Sequence, residues 1–186
     1  MRCAHTPRVR RSASTLNRMG PAPRIRLVDH RALSIARQLH AVQMSAYAQE
    51  AKLLGAIYFP PLERTVEEVR AADEMFLAAF MGKELVGAVS VWPDPEGMGM
   101  NIASFVVSPE FQRQGIGVAL LASVLATHGA GQITVQTGAK NIPAFSLYTR
   151  AGFVEFRRWL VGREPLELVK FLRPPGVSSE RSTNAI

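Results

Sequence analysis

Apolar positions along the chain recur with two different periods, and the switches between them mark out the elements. Between Arg24 and Asp29, "RIRLVD" alternates polar and apolar residues as a half-buried strand does. From His30, "HRALSIARQLHAVQMSAYAQEAKLL" places Leu33, Ala36, Leu39, Val42 and Ala46 at the spacing of one helix face, predicting a long first helix that ends at Leu54. "GAIYFPPLERT" (Gly55 to Thr65) interrupts it, because consecutive prolines lack backbone donors and clash with the preceding turn. Thr65 followed three residues later by Glu68 has the form of a capping box, so a short second helix is expected from Val66 to Ala72.

"MFLAAFMG" and "ELVGAVSVW", from Met75 to Trp92 with Gly82 and Lys83 at the turn, predict two antiparallel strands, and "PDPEGMG" predicts the loop after them. "MNIASFVVS" (Met100 to Ser108) reads as a strongly apolar strand. The helix after the glycines of "QRQGIG" runs to about His128, and "QITVQT" (Gln132 to Thr137) is a further buried strand. "NIPAFSLYTRAG" is a short helix ending at Gly152, and "FVEFRRWLV" with "LELVKFL" makes a final hairpin. The order β α α β β β α β α β β predicts an α/β fold of the mixed α+β kind. Its sheet is antiparallel at first and contains one parallel pair joined by the helix after the glycines.

The length of 186 residues fits one domain, and no apolar run approaches the roughly 18 residues of a membrane span. The formal net charge of +7 points toward nucleic acid until its distribution is considered. Residues 1–18 hold five arginines and no acid; subtracting these five from 22 basic residues leaves 17 against 15 acidic ones. Most of the basicity therefore belongs to an extension, expected to be disordered, ahead of a domain at 19–173 and a disordered tail at 174–186. A transit peptide or a nucleic-acid-binding arm is the minority reading of that extension. The single cysteine, Cys3, lies in it, so an internal disulfide is excluded and neither a cysteine nucleophile nor a thiolate metal site is expected. That usage fits a reducing cytoplasm.

The candidate chemistry begins at "SPEFQRQGIGVALL" (Ser108 to Leu121), where two glycines stand between a strand and a helix. Unpaired N–H groups at the start of a helix, at the positive end of its dipole, form an anion site, and Gly115 and Gly117 let that backbone approach a ligand closely. A diphosphate is the natural guest. The P-loop is excluded because Val118 and Ala119 follow Gly117, and the dinucleotide fingerprint fails because Leu120 stands where its third glycine belongs.

Taken together, "QRQGIG" and, about 25 residues later, "NIPAFSLYTRAGF" (Asn141 to Phe153) resemble the GNAT N-acetyltransferase superfamily. The resemblance covers roughly residues 24–173, and its specificity lies between 101 and 153. It implies a mixed sheet of about seven strands with flanking helices, splayed between the fourth and fifth. It also implies acetyl-CoA as co-substrate, no metal, and a primary amine as acceptor. Carried onto this chain, Phe105, Val106 and Val107 would hold the pantetheine arm and thioester. Gln112, Arg113, Gln114, Gly115, Ile116 and Gly117 would cradle the pyrophosphate, and Asn141 would hydrogen-bond the cofactor. Tyr148 would sit near its sulfur and protonate the leaving thiolate, as a phenol with an ordinary pKa near 10 can do at neutral pH. Dimers are common in that superfamily, so a homodimer is compatible with the resemblance, while the sequence itself sets no oligomeric state.

One family feature is missing. Where many members carry a glutamate as general base, five residues before the motif asparagine, this chain has Gln136. Three explanations stand: a water chain ending elsewhere, a base from the first two helices (Glu50 or Glu63), or an acceptor that needs little help. For the last, an α-amine is roughly a quarter to two fifths neutral at about pH 7.5, against about 0.1% for a lysine amine. Gln136 also raises a rival function, a non-catalytic acyl-CoA-binding or sensing domain. The acceptor is expected beside Tyr47, Tyr58, Phe59 and Pro60.

Overall fold

The computed structural model describes residues 22–162 and 165–176. The extension expected at 1–18, Cys3, and most of the tail expected at 174–186 lie outside them. Among the described residues the predicted order of elements recurs: β1 (Arg24–Val28), α1 (Leu33–Leu54), α2 (Val66–Ala71), β2 (Met75–Met81), β3 (Glu84–Pro93), β4 (Met100–Val107), α3 (Ile116–His128), β5 (Ile133–Gly138), α4 (Ile142–Arg150), β6 (Val154–Val161) and β7 (Leu166–Arg173). Short 3₁₀ turns at Pro60–Glu63 and Pro109–Phe111 start at or beside prolines, whose fixed φ suits a first helical turn.

Local chemistry sets the ends of these elements. Helix α1 starts at Leu33, where the apolar spacing begins and three residues after the start of the segment expected to be helical; ahead of it the Asp29 carboxylate accepts from the Arg31 N–H and His30 is drawn inward. His30 Nε2 donates to the Ala72 carbonyl, with the ring 4.9 Å from that of Phe76. The capping box of α2 forms as expected: Thr65 Oγ1 accepts from the Glu68 N–H, and the Glu68 carboxylate accepts from the Thr65 N–H. Such a cap contributes about 1 kcal/mol to a helix of only six residues.

The seven strands form one sheet in the order β1-β2-β3-β4-β5-β7-β6, antiparallel throughout except for the parallel β4–β5 pair. Alternation along the strands splits the core into two layers. Phe76, Ala78, Ala88 and Val106 pack under α1 and α2, while Val89, Ile102, Val135 and Phe171 pack under α3 and α4.

The buried stripe of α1 departs from its apolar spacing. Leu33 is 41% exposed, whereas Gln43 is fully buried and Tyr47 nearly so. Both polar side chains are tied to β4: Gln43 Nε2 donates to Ser104 Oγ at 3.3 Å, and Tyr47 Oη lies 2.7 Å from the same oxygen. These hydrogen bonds offset the cost of burying the Tyr47 hydroxyl and the Gln43 amide nitrogen, while Gln43 Oε1 is buried with no partner among the described residues.

Candidate active site

Strand β4 contains one extra residue. Its pairing with β3 runs Ser90 to Ser104 and then Val91 to Ile102, so Ala103 is bulged. A bulge bends its strand and increases the local twist. Pairing between β4 and β5 ends at that point: Met100, Asn101 and Ile102 face Ile133, Thr134 and Val135, and no pair follows. Beyond it β5 continues along β7 as far as Gly138, and β4 continues along β3 to Val107. The two strands diverge, leaving Ala103–Val107 without a strand partner on the β5 side.

A polar cluster centred on the buried Asp94 lies at the paired end of β4 and β5. The Thr134 hydroxyl donates to the Asp94 carboxylate and lies 3.1 Å from Asn101 Oδ1. Lys170 Nζ reaches Asp94 and Glu96, each at 3.2 Å. Burial raises the Asp94 pKa, but the Thr134 hydroxyl, the Glu96 amide and Lys170 outweigh it and hold the carboxyl below its ordinary value. The cluster joins the β3–β4 loop, β5 and β7 where β4 and β5 are still paired.

The opening is a cleft of about 970 Å³. Phe105 and Val107 line it, while the Val106 side chain points to the opposite face, under α1. Gln112, Arg113, Gly115, Ile116 and Gly117 also line it; Gln114 does not, and its amide bonds back to the Glu110 carbonyl. Gln112 Nε2 is held between Gln49 Oε1 (2.6 Å) and the Val107 carbonyl (3.2 Å). Arg113 and Gly115 both adopt positive φ, 63° and 81°. Gly115 is the N-cap of α3 and offers no side-chain cap, so the first amides of the helix stay free for a ligand. A Cβ on Gly117 would lie 3.6 Å from both Leu147 and Phe105, which brings the start of α3 beside the second half of α4.

The far end of the cleft is formed by the close of α1, the end of β5 and the start of α4. Gly138 is required there, because a Cβ at 138 would lie 2.4 Å from Leu54 Cδ2. Beside it stands Glu50, one of the two carboxylates the sequence offers as an alternative base. Glu50 Oε1 accepts from Asn141 Nδ2 at 2.9 Å and lies 3.4 Å from Thr137 Oγ1. Burial raises its pKa above the ordinary glutamate value, against those two hydrogen bonds. Asn141 is engaged at both ends of its amide, since its Oδ1 caps α4 by accepting from the Ala144 N–H. Glu63, the other carboxylate considered, accepts from the Tyr58 hydroxyl in an exposed pair. Gln136 lines the cleft.

Tyr148 is buried against Phe105, Phe153 and Phe171, the Phe105 ring meeting it edge-on with centroids 6.1 Å apart. Burial above all, then the charge of Glu50, raises its pKa above the ordinary phenol value, so it keeps its proton at neutral pH. Tyr47, Phe59 and Pro60 line the cleft as expected for an acceptor wall, while Tyr58 is 65% exposed and stands outside it. Among the described residues no group of His, Cys, Asp and Glu could hold a metal ion, and no helix is long and apolar enough to cross a membrane.

Residues 30–153 match the acetyltransferase (GNAT) family model. The UPF0157 protein YqkA of Bacillus subtilis (strain 168) is 36% identical over 130 residues, covering 69% of this chain but 37% of that protein, so the chain spans little more than a third of its length. The ribosomal-protein-S18-alanine N-acetyltransferase of Escherichia coli superposes with a TM-score of 0.64 at 14% identity, over 86% of this chain and 97% of that one. The PaiA N-acetyltransferase of Thermoplasma acidophilum, solved in complex with coenzyme A, gives 0.61 at 16% identity, over 83% and 99%. At such identities the last two are likenesses of fold.

Proposed function

Since the chain belongs to the acetyltransferase (GNAT) family, we propose that it is an N-acetyltransferase that moves an acetyl group from acetyl-CoA to a primary amine by direct attack. The observation that carries this reading is the divergence of β4 from β5, which leaves Ala103–Val107 without a strand partner on the β5 side, between the glycine turn and Tyr148. An extended amide-bearing arm can pair with that edge as a strand would. Acetyl-CoA, when bound, supplies an acetyl group activated as a thioester.

The residues divide the work. Phe105, Val106 and Val107 offer backbone groups to the pantetheine arm and polarise the thioester carbonyl. The turn from Gln112 to Gly117 offers free amides to the pyrophosphate, with Arg113 adding positive charge. Asn141 and Tyr148 complete the wall, and Tyr148 supplies the proton for the departing sulfur. The sensor reading loses its motive, since the carboxylate missing at Gln136 is matched by Glu50 in the same cleft. Cytoplasmic location and a homodimer are part of the same proposal.

The test is a thermal shift with acetyl-CoA, followed by thiol release against a panel of amines. Ligand at about a hundred times its dissociation constant stabilises the folded state by about 2.7 kcal/mol. No shift overturns the cofactor assignment, and a shift with no thiol release on any amine restores the sensor reading.

A further inference from the structure

The cleft is electrically polarised along its length. Arg113 belongs to the turn before α3, and Arg150 ends α4. The start of α3 lies beside Leu147, so both cations belong to one end. Glu50 is bound to Asn141 at the opposite end of α4, about 13 Å away along the helix at 1.5 Å per residue. Among the described residues lining the cleft, Glu50 is the one carboxylate. The same cleft is lined by the apolar Leu54, Phe59, Pro60, Val161, Leu166 and Leu168, with Tyr47 and Gln136 among its polar residues.

The two oxygens of Glu50 are unequal. Oε1 takes both hydrogen bonds, from Asn141 and Thr137. Oε2 takes none from the described residues and is not enclosed in the protein. An anchored carboxylate with one free oxygen in a cleft has the arrangement of a positioned proton acceptor. The structural alternative, a solvated helix charge, explains neither the two donors from other elements nor the placement inside the cleft.

We infer that Glu50 is the catalytic base of this chain, taking through Oε2 the proton of an acceptor whose primary amine is borne on an apolar body free of negative charge. The inference rests on the N-acetyltransferase reading. As the nitrogen lone pair forms the C–N bond and the C–S bond breaks, the proton shed by nitrogen passes to Glu50. The thiolate takes the proton of Tyr148, and Glu50 and the tyrosinate are reset by solvent. An anionic acceptor would be repelled by the carboxylate, and the cations among the described residues lining the cleft, Arg113 and Arg150, belong to the other end.

Among the described residues, the titratable groups that face Glu50 are Tyr148 from α4 and Tyr47 from its own helix; Thr137 of β5 and Asn141 do not titrate. The base acts only when ionised, and burial raises its pKa. The kcat/KM profile is therefore expected to rise with pH along a limb placed above the ordinary glutamate range, with the limb of the amine itself as an internal control.

The experiment compares wild type, Glu50→Gln and Glu50→Asp, using 2-phenylethylamine and β-alanine as acceptors. Glu50→Gln preserves size and can still accept from Asn141; an unchanged thermal shift with acetyl-CoA shows that fold and cofactor site are intact. Expected are a fall in kcat/KM of roughly 10²- to 10⁴-fold with loss of the acid limb in Glu50→Gln. Glu50→Asp keeps that limb at reduced rate, and 2-phenylethylamine is preferred over β-alanine by at least about tenfold. An active wild type with an unchanged Glu50→Gln profile overturns the base assignment alone. Equal or better use of β-alanine overturns the acceptor class. Wild type that releases no thiol with any amine overturns the N-acetyltransferase reading, and this inference with it.

Discussion

Replacing Lys170 with methionine removes the cation from the Asp94 cluster at the paired end of β4 and β5 while keeping the length and most of the volume of the side chain. The Asp94 side chain is fully buried and that of Lys170 is 7% exposed, so the change strands a carboxylate inside the protein. Breaking a buried pair from one side costs about 3–5 kcal/mol. The lower figure applies here, because Asp94 keeps the Thr134 hydroxyl and the Glu96 amide at 2.7 Å. At roughly 2–4 °C per kcal/mol for a chain of this size, a loss of about 3 kcal/mol lowers Tm by about 6–12 °C. The folded pKa of Asp94 lies below its ordinary value. Its contribution is therefore complete above the unfolded pKa near 3.9 and is lost as the pH falls through the folded one. The gap between wild type and Lys170→Met accordingly narrows on acidification. Calorimetry at several pH values measures both effects. The double variant Asp94→Asn/Lys170→Met, which strands no charge, should recover most of the loss. A Tm of Lys170→Met within about 2 °C of wild type at neutral pH, or a gap that does not narrow as the pH falls below about 4, would refute the reasoning.

Two further variants probe the cleft itself. Gly138→Ala drives a Cβ into Leu54, which is 3% exposed, and overpacking of this kind costs about 1–3 kcal/mol; chemical denaturation should show that loss, and thiol release should fall as well, since Leu54 lies one helical turn from Glu50. Tyr148→Phe keeps the aromatic packing and removes a hydroxyl that bonds to none of the described residues. Its Tm should stay close to wild type, and its kcat should fall by roughly 10²-fold or more with cofactor binding unchanged; an unaltered kcat would remove Tyr148 as the proton donor.

Local pattern made much of this protein legible without coordinates. The element order, the capping box at Thr65, the glycine turn before α3 and the paired motifs ending at Phe153 all depend on neighbours within a few residues. Such neighbours leave their mark as periodicity, proline and glycine placement, and spacing. What remained hidden involves partners far apart in the chain. Glu50 meets Thr137 and Asn141 across 87 and 91 residues, and on the helical stripe it reads as one more polar surface position. Gln43 and Tyr47 interrupt the apolar pattern of α1 because their compensation, Ser104, lies on another element. The bulge at Ala103, which sets where β4 leaves β5, has no signature in a uniformly apolar strand. It is a property of register, decided when β3 and β4 pair. The sequence by itself determined which segments become helix and strand and where an anion can be cradled. Tertiary structure decided where the sheet opens and which buried carboxylate faces the opening, because those depend on contacts that no window of the chain contains.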